Sequence, residues 1–241
     1  MEIFSKIKDC FVDLLFPKQC FGCEKESTYL CEECKKKIEL NKKFYCIICK
    51  RQTQFSEICE HCQKNYFLKA VWVVADYNSK ILQDLIHGYK YKYLQEISGI
   101  LADIMIRYLN ENKILEIFCI NKENSIFLPV PLHKKRYLNR GFNQSELLIK
   151  HLRDYLQIPA QKFLLRRKNT QSQVDLKKIE RQSNVKDAFI LINSDRLDKN
   201  KKVILIDDVV TTGSTLNECA KVLKQAGFKE VYGLVLAQRE D

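Results

Sequence analysis

From Leu68 onward, apolar and polar positions follow two alternating periods. A-V-W-V-V-A at 70–75 reads as a buried strand, whereas Leu94, Ile97, Leu101, Ile104, Met105 and Tyr108 recur on one helix face. I-F-L-P-V at 126–130 predicts a second strand, followed by a helix from Gln144 to Leu156 that Asn143 and Glu146 open at capping-box spacing. Further strands are expected at 163–165, 188–192, 203–206 and 231–236. Leu216, Cys219, Ala220 and Leu223 form one face of a helix ending at Gly227. The alternation predicts an α/β domain over 67–241, with a mainly parallel sheet flanked by helices and a ligand site at the carboxyl ends of its strands.

The first part of the chain has a different texture. In residues 1–19, Ile3, Ile7, Phe11, Leu14 and Leu15 fall at helical spacing between Lys6, Lys8, Asp9 and Asp13, which predicts an amphipathic helix rather than an export signal. Residues 20–66 are short polar segments with few apolar positions, so metal must replace a core there. Eight of the 11 cysteines form four Cys-x-x-Cys pairs. Cys20, Cys23, Cys31 and Cys34 make one set, and Cys46, Cys49, Cys59 and Cys62 a second. A two-residue gap lets a tight turn aim both sulfurs at one tetrahedral Zn²⁺, and four thiolates leave no open position, so two structural zinc ions are expected. Redox cysteines are the competing reading, His61 is an alternative ligand, and spacing leaves sequential and interleaved pairing both open. Cys10, Cys119 and Cys219 read as small buried hydrophobes without chemistry. Metal-binding cysteines and the absence of any run near the ~20 apolar residues of a membrane span predict a cytoplasmic protein.

Charge narrows the choice of ligand. The formal net charge is +11, which two zinc ions in four thiolates each would lower by 4. Residues 1–66 carry 12 Lys/Arg against 10 Asp/Glu, whereas residues 133–186 carry 14 against 4. An anionic ligand is expected in the second region.

V-I-L-I-D-D-V-V-T-T-G-S-T, Val203 to Thr215, is the most specific stretch. Its apolar residues make a buried strand that delivers Asp207 and Asp208 to the carboxyl end, where adjacent carboxylates can face a ribose diol and Mg²⁺. Thr211, Thr212, Gly213, Ser214 and Thr215 then form a hydroxyl-rich turn opening a helix, whose N-terminal N–H groups suit phosphate. An ordinary strand end would explain the two aspartates but not the ordered turn. Upstream, Lys134, Lys135, Arg136 and Arg140 cluster after the strand at 126–130, where a diphosphate would find counter-charge. A solvated basic loop is the alternative. Arg166 to Val185 is basic and polar and reads as a flap.

Val203–Thr215 resembles the phosphoribosyl-diphosphate (PRPP) motif of type I phosphoribosyltransferases at every position. The resemblance implies that Asp207 and Asp208 contact the ribose hydroxyls while the turn Thr211–Thr215 holds the 5′-phosphate. Salvage enzymes acting on 6-oxopurines carry an acidic residue where this chain has Thr211, so that subclass is disfavoured. With Pro129–Gln144, the Arg166, Thr170 and Gln173 block, and the Arg181 and Asn184 pair, the chain resembles the ComF family, in which a zinc ribbon precedes a phosphoribosyltransferase-like domain. That resemblance implies a role in handling single-stranded DNA during natural transformation, and a competence helicase as a partner.

Three functions are therefore weighed. The first is an enzyme that transfers phosphoribose from PRPP, with an acceptor the sequence does not name. The second is a nucleic-acid-binding factor in which basic residues, Tyr89, Tyr91, Tyr93 and Tyr137 grip phosphates and bases, against the plainer reading of these tyrosines as packing residues. The third is a scaffold whose ribbons bind a protein partner.

Overall fold

The computed structural model describes residues 18–91, 94–168, 185–192 and 197–239. The expected N-terminal helix, Cys10, Tyr93, Thr170, Gln173, Arg181 and Asn184 lie outside these residues.

Four strands, β1 (Ala70–Asp76), β2 (Ser125–Pro129), β5 (Lys202–Val210) and β6 (Val231–Gln238), form a parallel sheet in the order β1-β6-β5-β2. Such a sheet is covered on both faces, and its strands divide their side chains by parity. Trp72, Val74, Ile204, Ile206, Tyr232 and Leu234 point into one buried cluster, shared with Leu101 and Met105 of α4 (Ile97–Glu111) and with Leu148 and Leu152 of α7 (Gln144–Leu156). Val71, Val203, Leu205, Val231 and Val235 point into the other, which Leu216, Cys219, Ala220 and Leu223 of α8 (Ser214–Gln225) complete. A separate antiparallel pair joins β3 (Leu164–Arg166) to β4 (Phe189–Leu191).

Several expectations need correction. The strand expected at 203–206 runs through the acidic pair to Val210 and stays paired with β6, Asp207 opposite Val235 and Val210 opposite Gln238. Residues 80–91, for which no element was expected, form α3 (Lys80–Tyr91), with Leu82, Leu85, Ile86 and Tyr89 buried. Gly88 sits within it because a Cβ there would lie 2.8 Å from Phe21 Cζ. The basic loop after β2 is a short helix, α6 (Lys134–Arg140), with no buried residue. Short helices α1 (Glu32–Lys36), α2 (Glu60–Gln63) and α5 (Ile114–Ile117) complete the described elements. Cys119 is exposed, contrary to its reading as a buried hydrophobe, whereas Cys219 is buried.

The cysteine-rich segment packs on the sheet rather than standing apart. Leu40 bridges Ala75 and Glu57 bridges Ala70, along the edge of β1 that β6 leaves free. Asn41 N–H donates to Val74 O at 2.9 Å, and Val71 N–H to Ser56 O at 3.1 Å. Cys20, Cys34, Ile38 and Leu40 share the first core cluster, and Cys46, Ile47, Ile58 and Cys62 the second. Metal thus supplements a shared core where the sequence suggested that it replaces one.

Candidate functional site

The site opens where β2 stops. Its last paired residue, Pro129, faces Ile206, and β5 continues for four residues beside β6 alone among the described strands. Asp207 and Asp208 occupy that overhang and border a polar cavity. Asp207 Oδ1 accepts from the Asp208 N–H at 2.9 Å and from Ser145 Oγ at 3.3 Å. Asp208 is 6% exposed and pairs with Lys90 Nζ of α3 at 2.9 Å, while its Oδ1 also accepts from the Val209 N–H at 2.6 Å. Burial, reinforced by the Asp208 charge, pushes the Asp207 carboxyl up to about 7, against the pull of Lys90 and its hydrogen bonds.

Across the cavity stand three guanidinium groups. Arg136 and Arg140 of α6 and Arg166 of β3 all line it. Arg166, 6% exposed, lies over the Phe189 ring at 5.3 Å, and burial together with Arg136 lowers its pKa to about 10. Burial and then Arg140 lower that of Arg136. Cations held this close repel one another, so an anion among them would be favoured twice, by attraction and by relief. Arg140 also donates to Gln144 Oε1 at 3.1 Å and lies 5.6 Å from the centre of the Tyr91 ring. α7 starts at this wall. Asn143 caps it by accepting from the Ser145 N–H at 3.0 Å and ties it to β2 through Val130 O at 3.1 Å.

The turn after β5 closes the third side. Gly213 has φ 77°, the left-handed region that glycine tolerates, and serves as N-cap of α8. Thr211, Gly213 and Thr215 line the cavity. Thr212 and Ser214 do not; both are buried, and their hydroxyls share a 2.7 Å hydrogen bond that shapes the turn. The Thr211 hydroxyl and the Gln144 amide nitrogen are buried without a hydrogen-bond partner, two polar atoms left for a ligand.

Of the basic residues singled out in the sequence, Arg136 and Arg140 reach the cavity, whereas Lys134 and Lys135 are exposed on α6. Arg166, not the exposed Arg167, takes the buried position. Tyr89 is a packing residue whose hydroxyl donates to Gln144 O at 2.7 Å, Tyr91 borders the cavity, and Tyr137 is exposed. Sequence reasoning missed Lys90, Gln144 and Ser145 as site residues. The helical spacing of Leu82, Leu85, Ile86 and Tyr89 would have found α3 and, with it, Lys90.

The eight paired cysteines form two clusters, Cys20, Cys23, Cys31 and Cys34, and Cys46, Cys49, Cys59 and Cys62. Pairing is thus sequential, and His61 belongs to neither. Within each cluster the sulfurs lie within 4.8 Å of one another, with Cys23 and Cys31 at 3.7 Å and Cys49 and Cys59 at 3.5 Å. Tetrahedral Zn–S bonds of ~2.3 Å require sulfurs ~3.8 Å apart, so both sets fit zinc. Burial and the adjacent sulfurs push the Cys34 and Cys62 thiols up to about 12. Four sulfurs so close ionise together only around a cation.

Residues 11–68 match the Double zinc ribbon domain family, and residues 140–241 match the Phosphoribosyl transferase domain family. Competence protein F of Haemophilus influenzae is 34% identical over 86% of this chain and 90% of that protein. The chain belongs to the competence protein F family. Within that family's reach, the DNA utilization protein YhgH of Escherichia coli is 30% identical over 84% of this chain and 93% of its own length. Competence protein ComFC of Streptococcus pneumoniae is 29% identical over 86% of each. This competence protein F family chain joins a double zinc ribbon to a phosphoribosyltransferase fold, and no helix among its described residues is long and apolar enough to cross a membrane.

Proposed function

We propose that the cavity binds PRPP with Mg²⁺, and that the chain uses it in the handling of single-stranded DNA during natural competence, in the cytoplasm. One observation carries this reading: two adjacent carboxylates, three guanidinium groups and a glycine turn at a helix N-terminus converge beyond the end of β2. Each matches one part of PRPP. Asp207 and Asp208 accept from the ribose hydroxyls, Arg136, Arg140 and Arg166 take the diphosphate, and the N–H groups and hydroxyls of Thr211–Thr215 take the 5′-phosphate. Thr212 and Ser214 serve by holding the turn, and Lys135 by adding charge at the rim. Oxygen-only donors suit Mg²⁺, which Asp207 and Asp208 would hold and which would neutralise the diphosphate leaving group. Lys90 already fills part of that need for positive charge at Asp208. Within this reading, residues 20–66 form the double ribbon and residues 67–241 the phosphoribosyltransferase domain.

Isothermal titration with Mg²⁺–PRPP tests the site directly. Saturable binding in wild type that is lost in the Asp207→Asn, Asp208→Asn double variant is expected, and equal affinity in both would sink it. A screen of acceptors for release of diphosphate then separates transfer from binding alone. A second reading, a nucleic-acid factor with a PRPP-derived phosphate grip, is favoured by α6, which exposes Lys134, Lys135, Tyr137 and Leu138 on the same helix that carries the cavity-lining Arg136 and Arg140. On that reading a competence helicase would meet the ribbons.

A further inference from the structure

The second ribbon touches the phosphate turn, and the chemistry proposed above leaves that contact unused. Ile47 and Ile48 lie between two metal-binding cysteines, Cys46 and Cys49. A Cβ placed on Gly213 would lie 3.5 Å from Ile48 Cδ1 and 3.8 Å from Ile47 Cγ2. The two isoleucines therefore roof the one residue of the turn whose backbone is left-handed. Ile47 is 3% exposed and belongs to the same buried cluster as Val210 and Leu216, which flank the turn on either side.

Gln238, the last residue of β6, joins the two parts. Its Nε2 donates to Thr211 O at 2.9 Å and to Ile47 O at 3.4 Å, and its Oε1 accepts from Lys50 Nζ at 2.6 Å. A single side-chain amide thus spans from the first residue of the turn to the backbone of the metal knuckle. A turn already held in its binding shape need not be ordered when phosphate arrives, so the restraint appears as affinity. We infer that Gln238 is a positioning residue for the phosphate turn, fastening Thr211–Thr215 to the second metal knuckle so that phosphate binding depends on that knuckle being folded. The inference rests on the reading of this turn as a phosphate site.

Three substitutions test it. Gln238→Met keeps the length and removes the donor; Gln238→Glu keeps an acceptor for Lys50 but turns a carboxylate toward two carbonyls; Ile48→Ala thins the roof. Zinc content, amide exchange of residues 211–215 without ligand, and Mg²⁺–PRPP affinity are measured on the full chain. With zinc content unchanged, Gln238→Met is expected to speed exchange several-fold in 211–215 and to weaken PRPP about tenfold, the worth of one such hydrogen bond. Gln238→Glu should lose more, and Ile48→Ala should move both readouts in the same direction. Exchange or affinity that stays at the wild-type value in Gln238→Met overturns the inference. If wild type itself fails to bind PRPP, the reading of the site falls, while exchange in 211–215 still decides whether Gln238 holds the turn.

Discussion

Replacing Asp207 by Asn should stabilise the ligand-free protein above neutral pH while weakening the PRPP binding proposed above. Asp207 titrates at about 7 instead of 3.8 because burial, and then the Asp208 charge, penalise its ionised form. A carboxyl raised in the folded state adds stability that is complete below the unfolded pKa and lost as pH rises through the folded one. From pH 5 to pH 8 the wild type should therefore lose up to about 3 kcal/mol that Asp207→Asn, which has no proton to release, retains. At ~2–4 °C per kcal/mol for a chain of this size, the Tm gap between the two proteins should widen by roughly 5–10 °C over that range. Scanning calorimetry in the absence of Mg²⁺, with zinc left bound, reads the gap. Tm profiles that run parallel from pH 5 to 8 would refute the account of Asp207 as a carboxylate held at a cost.

The exposed lysines of α6 and the buried arginine of β3 should separate in assay. On the nucleic-acid reading, Lys134→Ala with Lys135→Ala should weaken single-stranded DNA binding and lower its log–log salt slope by about 1.4, at ~0.7 per lost phosphate contact, and should cost PRPP far less than the loss of a cavity-lining arginine; an unchanged slope moves the DNA surface elsewhere. Arg166→Ala should weaken Mg²⁺–PRPP at least tenfold, whereas Arg167→Ala should have little effect, because only Arg166 is turned into the cavity. Elemental analysis of fresh protein should find two zinc ions per chain. Stripping them should make the chain self-associate at micromolar concentration, because the outer edge of β1 loses the segments that bridge it. Light scattering that stays monodisperse after complete chelation would refute this.

Chemistry that is local in the chain was legible, and chemistry assembled across it was not. Asp207, Asp208 and the turn after them lie within nine residues and carry their meaning in order, as do the four Cys-x-x-Cys pairs. That the sheet is covered on both faces is recorded in continuous apolar runs such as V-I-L-I at 203–206, whereas such a run leaves no mark of which residue joins which core cluster. Lys90 reaches Asp208 from 118 positions upstream, and no spacing announces such a pairing. β5 runs beyond its expected end because Val209 and Val210 continue it past two aspartates, residues depleted in strands, and β6 supplies the hydrogen bonds that carry it on. The docking of the ribbon on β1 rests on single-residue bridges at Leu40 and Glu57, too short to leave a period in the sequence.

Those bridges bear on how such a chain can be inherited. A gene fragment beginning at residue 67 would encode every cavity residue described here, yet its product would expose the free side of β1 to its own copies. Recombination that traded the ribbon for another module would face the same exposure, and would also leave Gly213 without its roof. If the cavity binds as proposed, selection on it would also act on cysteines that do not line it, and would favour the two halves descending as one unit.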